Sequence, residues 1–417
     1  MNSDFNNWAK SSSLRRGTLY VWVLAVMFAL GALPVWAQSF SSGSDGTDGA
    51  YNPSGAAGTV IIFDPTQFRG SQVGANIFNF TTITIPAGVT VKLSGNTLNG
   101  PVFWLAQGDV DIEGTVDLSG GNGYAFTSQS FFRIPSVPGS GGYAGGVGGV
   151  GSQLALTGSG TGGGVAGTAN NPSGGGVYGG NQFVIPLVGG SGGGGGYNRF
   201  NNGVLEAGGG AGGGAIMIAS STRILVNGTI NANGGQPGAP TVQCAAGGSG
   251  GAIRLVSNAI AGSGNLTAIG GAIAGGGCPN GGPGVIREES TSTFFTGSVS
   301  GTVAQSAPFR LLLPTAGSPS ANVISINGIS ITPNPNTFPD ITINTSSPVP
   351  VVIQTQNIPA NATLTLTILD ENNVADTVVQ APPLSNCTAS NVCTTTVNVT
   401  FPFGGSYGLS KVTWTLQ

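Results

Sequence analysis

The sequence predicts an all-β protein, in which a parallel β-helix (solenoid) is followed by an antiparallel β-sandwich. Of the 417 residues, 75 are Gly, and no window after residue 37 shows a helical apolar stripe free of Gly or β-branched residues. Residues 58–300 contain a repeated apolar motif, and residues 305–417 alternate apolar and polar side chains between Pro and Asn turns. These three observations indicate strands throughout the chain beyond its N-terminal segment.

The charge content excludes several functional classes. The chain has no His, 12 Lys or Arg residues and 15 Asp or Glu residues, and its formal net charge is −3. Without His, a Ser-His-Asp triad, a Cys-His pair and a His-ligated metal are excluded. So few basic residues leave no face for nucleic acid, and no nucleic-acid partner is expected.

The N-terminal segment has the features of an export signal. Lys10, Arg15 and Arg16 precede an apolar run over residues 20–34, and small residues mark a cleavage site after Ala37. The rival interpretation is an uncleaved anchor, since an apolar run of about 20 residues can cross a bilayer. We expect cleavage, a bacterial protein that is secreted or held at the cell surface, and no membrane contact afterwards.

Composition divides the rest of the chain into segments. Residues 38–57 are rich in Gly, Ser and Asp and are predicted to be a flexible N-terminus. Residues 58–300 form the Gly-rich solenoid, which is interrupted by a long Gly-rich insertion over about 124–206. We expect the insertion to form a compact lobe, with additional poorly recognisable coils as the alternative, and its glycines to allow tight turns and close backbone approach.

Three segments of the Gly-rich region align as copies of one motif: 101–122, 215–236 and 252–272. Apolar positions match apolar positions, and glycines match glycines, as in Gly114, Gly228 and Gly264. One copy is too short to bury its own apolar face, whereas stacked copies build a continuous core. Parallel stacking therefore accounts for the repeat.

The stretches Gly247–Leu255 (GGSGGAIRL) and Gly281–Arg287 (GGPGVIR), and similarly residues 208–218, place a Gly pair before an apolar strand. This pattern resembles the right-handed parallel β-helix of the pectin-lyase-like superfold, and it is similar to Gly-rich secreted bacterial proteins and adhesin passenger domains. The resemblance implies the fold for about half of the chain. It leaves the function open, because this superfold includes lyases, hydrolases and non-enzymes.

Four cysteines in an exported chain predict two disulfides, with a zinc site as the rival that no CxxC pair or His supports. Cys244 and Cys278 each lie three residues before the Gly pair of adjacent copies, so they are expected one above the other, about 4.8 Å apart. Cys387 and Cys393 are expected to close a small loop.

Residues 305–417 contain about seven strand-like segments at short spacing. This pattern resembles immunoglobulin-like or fibronectin type III modules, although the Cys…Trp…Cys core pattern is missing. Such modules act mostly as spacers, carbohydrate contacts or sorting elements, and the sequence does not choose among them.

The densest acidic cluster is Asp109, Asp111, Glu113 and Asp117. The first three alternate with apolar residues and are expected to point outward from one strand. A functional interpretation is Ca²⁺ ligation or the carboxylate pair of a glycosidase. The favoured interpretation is a solvated outer face. Arg223 aligns with Asp109 in the next copy, which predicts an ion pair between stacked copies.

Arg254 and Arg287 align on successive copies and are expected to face outward. They are the weak candidates for a catalytic base or for contact with an anionic sugar. A polar face, with the aliphatic stems packed along the sheet, is the favoured interpretation because no acidic cluster was found at matching positions.

Aromatic side chains offer a third kind of candidate site. Phe103 and Trp104 are adjacent in one strand, so one of them is expected to face outward. Tyr143, Tyr178, Tyr197 and Phe200 lie in or beside the Gly-rich insertion and could contact glycans or other copies of the chain, although ordinary packing is favoured.

The sequence thus predicts an exported structural or adhesive protein of a surface or matrix, in contact with polysaccharides or other surface polymers and able to self-associate. The alternatives are a polysaccharide lyase or glycoside hydrolase on a β-helix, and a non-catalytic carbohydrate-binding protein. No catalytic residue and no cofactor is assigned, and only Ca²⁺ is left open as a ligand.

Overall fold

The structure is a computed structural model. It describes residues 39–68, 76–98, 100–124, 134–149, 154–168, 171, 173–197, 206–238, 244–273, 278–314, 320–330, 343–368, 377–384, 386–388, 391–401 and 410–415. The predicted signal peptide, residues 1–37, lies outside these ranges. Within them, the only helix is a 3-10 turn at Pro65–Gln67, and no helix is long and apolar enough to cross a membrane. The prediction of an all-β chain is confirmed for this part.

The described residues before 307 contain fourteen strands. In chain order they are β1 Gly49–Tyr51, β2 Val60–Ile62, β3 Ile77–Ile85, β4 Thr90–Lys92, β5 Val102–Ala106, β6 Val110–Ile112, β7 Thr115–Asp117, β8 Ala215–Val226, β9 Thr229–Asn231, β10 Ala252–Gly262, β11 Asn265–Thr267, β12 Val285–Phe295, β13 Ser298–Ser300 and β14 Thr302–Ser306.

These strands form two long parallel sheets. The first has eight strands in the order β1-β3-β5-β8-β10-β12-β14, with β6 between β3 and β8, and the second has six in the order β13-β11-β9-β7-β4-β2. Each passage of the chain adds one layer to both sheets, because β3 is followed by β4, β8 by β9 and β10 by β11. Repeated short strands joined by glycine corners account for this regularity.

The strand register confirms the sequence repeat. Ile216 pairs with Val102 on one side and with Ile253 on the other, and Ile230 lies between Val116 and Leu266. These residues are fully buried in one apolar cluster between the sheets. At each aligned inward position, every layer therefore adds one apolar residue to a shared core.

The polarity of the core changes at the last layers. One inward column contains Trp104, Ile218 and Leu255 and continues through Glu288 to Gln305. The side-chain amide of Gln305 donates a hydrogen bond of 3.0 Å to Oε2 of Glu288. The apolar column therefore ends in a hydrogen-bonded polar pair at β12 and β14.

The N-terminal residues have fixed partners, which corrects the prediction of a flexible segment over residues 38–57. Gly49–Tyr51 pairs with β3, and the hydroxyl of the buried Ser42 donates to the carbonyl of Ala106. The Tyr51 ring stacks at 5.4 Å on Phe80. Composition alone did not reveal that this segment packs on the first parallel sheet.

The Gly-rich insertion forms a bundle of extended segments that are hydrogen-bonded without being strands. We call it the glycine bundle, and it consists of the described residues in 139–197 together with 206–214, 244–251 and 278–284. Its central segment, residues 189–196, is entirely buried. Six segments surround the central one through backbone hydrogen bonds: 141–149, 154–159, 162–168, 173–177, 207–213 and 244–251.

Hydrogen bonds of the central segment repeat every three residues. The amides of Gly190, Gly193 and Gly196 donate to residues 213, 210 and 207 of one neighbour, at 2.7, 2.9 and 2.9 Å. The intervening amides donate to other neighbours, and that of Gly194 to Gly174. A period of three is that of a polyproline II helix, which has no internal hydrogen bonds, whereas a strand has a period of two.

Close packing of these segments explains the glycines. A Cβ atom on Gly193 would lie less than 3.0 Å from the carbonyl oxygens of Ala246 and Gly247 in the neighbouring segment. Gly209, on another segment, would meet the carbonyl of Gly193 in the same way. Close backbone approach, as in collagen, is therefore the main role of glycine in the bundle.

The C-terminal strands are antiparallel and have a separate core. They are β15 Ser320–Ile326, β16 Ile329–Ser330, β17 Val349–Gln356, β18 Thr363–Ile368, β19 Thr377–Gln380, β20 Val392–Val399 and β21 Ser410–Thr415. One sheet has the order β16-β15-β17-β20 and the other β19-β18-β21. Val351 and Ile353 of the first share an apolar cluster with Leu364 and Leu366 of the second.

Candidate functional site

The acidic cluster of β6 lies on the exposed face of the first sheet, as the alternation predicts. The side chains of Asp109 and Asp111 are 41% and 32% exposed. Residues of the next layer bind Asp109: Arg223 Nε donates to Asp109 Oδ2 at 2.9 Å, and Thr222 Oγ1 donates to Asp109 Oδ1 at 2.6 Å. Glu113 accepts a hydrogen bond of 2.9 Å from Asn227. The predicted ion pair between copies is therefore present.

This cluster lacks the geometry of a metal site. Within the described ranges, no three His, Cys, Asp or Glu side chains are arranged to hold a metal ion. The carboxylates instead follow one strand and bond across to β8 and the corner after it. The arrangement couples two layers of the sheet.

The environment of Asp111 alters the acidity of its carboxyl group. Partial burial raises the pKa of its carboxyl above the usual value, and the charges of Asp109 and Glu113 add to that effect, while Arg223 opposes it. Its Oδ1 atom has no hydrogen-bond partner among the described residues and lies 3.7 Å from the Arg223 guanidinium. The ionised form is therefore disfavoured in the folded protein.

Asp111→Asn is expected to raise the melting temperature at pH 7. Because the folded pKa is raised, the native carboxyl binds its proton more tightly than the unfolded one. The native state therefore loses stability as pH rises from below the unfolded pKa to above the folded pKa. An uncharged amide removes that loss. Melting curves of both proteins at pH 7 and pH 3 check this, and an equal gain at both pH values would contradict it.

The two aligned arginines are buried, whereas the sequence predicts an exposed polar face. Arg254 pairs with Arg287 in register, but Arg254 is 2% exposed and its partner is largely buried. Both bind Glu289, which is fully buried: Arg254 Nε at 2.9 Å and Arg287 Nε at 2.6 Å from Oε1. Both arginines lie on the outward face of the sheet, as expected, but that face is covered, so the expected exposed polar face is wrong. The alignment did not identify Glu289 as their acidic partner.

Residues from distant parts of the chain cover this cluster. The backbone amide of Phe309 donates to Glu289 Oε2 at 2.9 Å, and Arg287 NH2 donates to Ser306 Oγ at 2.8 Å. The Phe183 ring of the glycine bundle lies 5.6 Å from the Arg287 guanidinium carbon. The cluster therefore fastens two covering segments to the outer face of β10 and β12, and it leaves no open charged surface for a substrate.

Part of the evidence for this buried ion cluster is present in the sequence. Arg287, Glu288 and Glu289 are consecutive charges in a chain with few charged residues. Arg287 and Glu289 are two positions apart, so a strand places both on one face. An acid and two bases on one face of adjacent strands would have predicted an ion cluster, but not its burial.

The described aromatic candidates are buried or half-buried. Trp104 points into the core between the two sheets, and Phe103 lies on the opposite face of the sheet, only 4% exposed, in a second apolar cluster. Tyr178 is partly buried against that cluster, and its hydroxyl donates to Val188 at 3.3 Å. Tyr143 and Tyr197 are half-buried, and Phe200 lies outside the described residues.

Both disulfides form with the predicted pairing. The Cα atoms of Cys244 and Cys278 are 5.1 Å apart, and Cys387 is bonded to Cys393. The first bridge joins neighbouring segments of the glycine bundle, since Gly247 N donates to Pro279 O beside it. Two disulfides are consistent with an extracellular protein.

Replacing Cys244 and Cys278 together by Ser is expected to lower the free energy of unfolding by about 2–4 kcal/mol, because the unfolded chain regains the entropy of an open loop. Thermal unfolding without reductant measures the loss. The Cys387→Ser/Cys393→Ser variant is the control, and its smaller loop predicts a smaller loss. Equal losses in the two variants would contradict the assignment.

The glycine bundle presents one uncharged surface to solvent. We call it the outer layer, and it consists of residues 154–168 and 173–177. Leu154, Val165 and Val177 are 64%, 61% and 60% exposed. Burial follows the three-residue period, so glycines such as Gly158 face inward while the larger side chains face out. This is an exposed apolar patch on a rigid backbone lattice.

Comparisons with known proteins add no family. The chain matches no protein-family model, no curated protein and no solved structure at a significant level. Its function is therefore inferred from its own residues and contacts.

Proposed function

We propose that the protein is an exported structural or adhesive component of a cell surface or matrix that contacts polysaccharide or other surface polymers without transforming them. In this proposal, the two parallel sheets are the walls of a β-solenoid of the pectin-lyase-like kind. The antiparallel C-terminal sheets are an immunoglobulin-like module. The solenoid is a rigid stalk, and the glycine bundle is a lobe held on it.

The proposal rests on one observation, namely that the candidate charged side chains are paired with one another. Arg254 and Arg287 are occupied by Glu289, and Arg223 by Asp109. Each interaction joins strands of neighbouring layers or a covering segment to its sheet. A lyase or glycosidase needs acid and base groups that face a substrate cleft. These groups face each other, which favours a structural role.

Export is supported by the two disulfides, by the N-terminal signal features and by the scarcity of charge. A glycine bundle closed by a disulfide suits an oxidising environment outside the cell. Such a rigid, weakly charged body suits mechanical or adhesive work better than catalysis.

Incubation of the purified protein, starting at residue 38, with polyuronates and with neutral polysaccharides tests the proposal. We expect no unsaturated products and no new reducing ends, together with retention on at least one insoluble polymer. Turnover that is lost in Arg254→Lys or Asp109→Asn would establish an enzyme and would overturn the proposal.

A further inference from the structure

We infer that the outer layer of the glycine bundle binds the surface of an uncharged polysaccharide, an inference that rests on the proposed adhesive function. The first reason is charge. Residues 134–197 contain no Asp, Glu, Lys, Arg or His, so the outer layer lies within an uncharged stretch of the chain. Such a surface offers no ionic partner to a polyuronate, an anionic lipid or a nucleic acid, whose charges would be desolvated without compensation.

The second reason is the chemical pattern of the layer. Leu154 and Thr157 are three residues apart on one segment, and Val165 and Thr168 are three apart on the next, and all four are exposed. A threefold helix places residues at this spacing on one face. Each segment therefore displays one aliphatic group and one hydroxyl group to solvent.

The two segments are aligned so that these groups alternate across them as well. The amide of Gly158 donates a 2.8 Å hydrogen bond to the carbonyl of Gly164, and a turn joins the segments, so they run antiparallel. This register sets Leu154 beside Thr168 and Thr157 beside Val165. Apolar and hydroxyl groups thus form a checkerboard, and a neutral polysaccharide presents the matching alternation of C–H and hydroxyl groups.

The third reason is that the layer is rigid. Inward positions are held by glycines whose added Cβ atoms would collide with neighbouring carbonyls, as at Gly164 and Gly158. The layer cannot fold around a small ligand. It suits an extended surface that already has fixed geometry, for which little ordering entropy is lost on contact.

The size of the layer distinguishes a polymer from a second copy of the chain. The segment 162–168 is about 22 Å long at about 3.1 Å per residue. Three segments at about 4.8 Å spacing make the layer about 15 Å wide, which is roughly 300 Å². A stable protein dimer buries about 800 Å² per partner, so this face is too small for one. A polymer surface supplies many adjacent sites and therefore avidity.

Adsorption of the chain from residue 38 onward to microcrystalline cellulose, chitin and cross-linked alginate tests the inference. The test variant is Val165→Asp/Val177→Asp, which places charge on the outer layer. The matched control is Phe294→Asp, since Phe294 is 68% exposed on β12, outside the bundle. Circular dichroism and melting temperatures establish that all three proteins are folded.

We expect the wild type and Phe294→Asp to adsorb equally to a neutral polymer, and the double variant to adsorb at least about tenfold more weakly. Equal adsorption of all three would overturn the inference and leave an adhesive function intact. Adsorption of the wild type to alginate alone would also overturn it, and so would a dimer that the double variant separates. Sugar release would contradict the proposed function instead.

Discussion

Glu289→Gln is expected to lower the free energy of unfolding by about 3–5 kcal/mol. The substitution removes the carboxylate that binds both Arg254 and Arg287, and it leaves two guanidinium groups buried beside a neutral amide. It also weakens the hydrogen bond that the Phe309 amide donates to Glu289. Urea denaturation, followed by the fluorescence of Trp104 in the core of the parallel sheets, measures the loss.

Asp109→Asn is the matched control, since it removes the carboxylate of the exposed ion pair between Asp109 and Arg223. The Arg223 side chain is 51% exposed, so this loss is expected to stay below about 1 kcal/mol. A triple variant, Arg254→Met/Arg287→Met/Glu289→Leu, is expected to be more stable than Glu289→Gln, because no buried charge is left unpaired. A Glu289→Gln protein as stable as Asp109→Asn would refute the burial of this cluster.

Gly193→Ala is expected to destabilise the glycine bundle by about 3 kcal/mol or more. Its new methyl group would meet two backbone carbonyls, those of Ala246 and Gly247, which cannot rotate away as a flexible side chain could. Separation of the two segments would also break the hydrogen bonds that the amides of Ala246 and Ser249 donate to the carbonyls of Gly194 and Ser191. Thermal unfolding, with hydrogen exchange of the bundle amides, measures the effect.

Gly282→Ala provides the control within the same bundle. A Cβ atom there would meet its nearest neighbours at 3.6 and 3.7 Å, which is ordinary van der Waals contact. Its effect on the melting temperature is expected to be small. If both substitutions were tolerated equally, the close packing of the segments around Gly193 would be wrong.

The sequence repeat predicted the parallel sheets because stacking matches like residues in adjacent layers. The aligned residues Val102, Ile216 and Ile253 are paired in register in neighbouring strands. Cys244 and Cys278, which have matching positions in adjacent copies, form a disulfide. These features follow from local sequence and from matching positions in each copy, although the spacing between copies varies. They do not depend on the segments that cover the sheets.

The environment of Arg254 could not be predicted in this way. Alternation correctly assigned it to the outer face of β10, but that face is covered by Leu187 of the bundle and by Leu311 and Leu313 after β14. Burial there depends on segments far away in the chain. A compact lobe and close backbone approach were predicted for the Gly-rich insertion, but its threefold backbone lattice was not, because such a lattice leaves no apolar period in the sequence.

The salt dependence of adsorption to a neutral polysaccharide, with sugar analysis of the supernatant, tests the central claim most directly. The claim is that the chain holds an uncharged polymer through a surface without ionised groups and does not cleave it. The bound fraction is then expected to stay constant between low and about 1 M NaCl, where ionic contacts are screened beyond about 3 Å, and no sugar is released. A bound fraction that collapses with salt, or soluble sugar that accumulates with time, would contradict the claim.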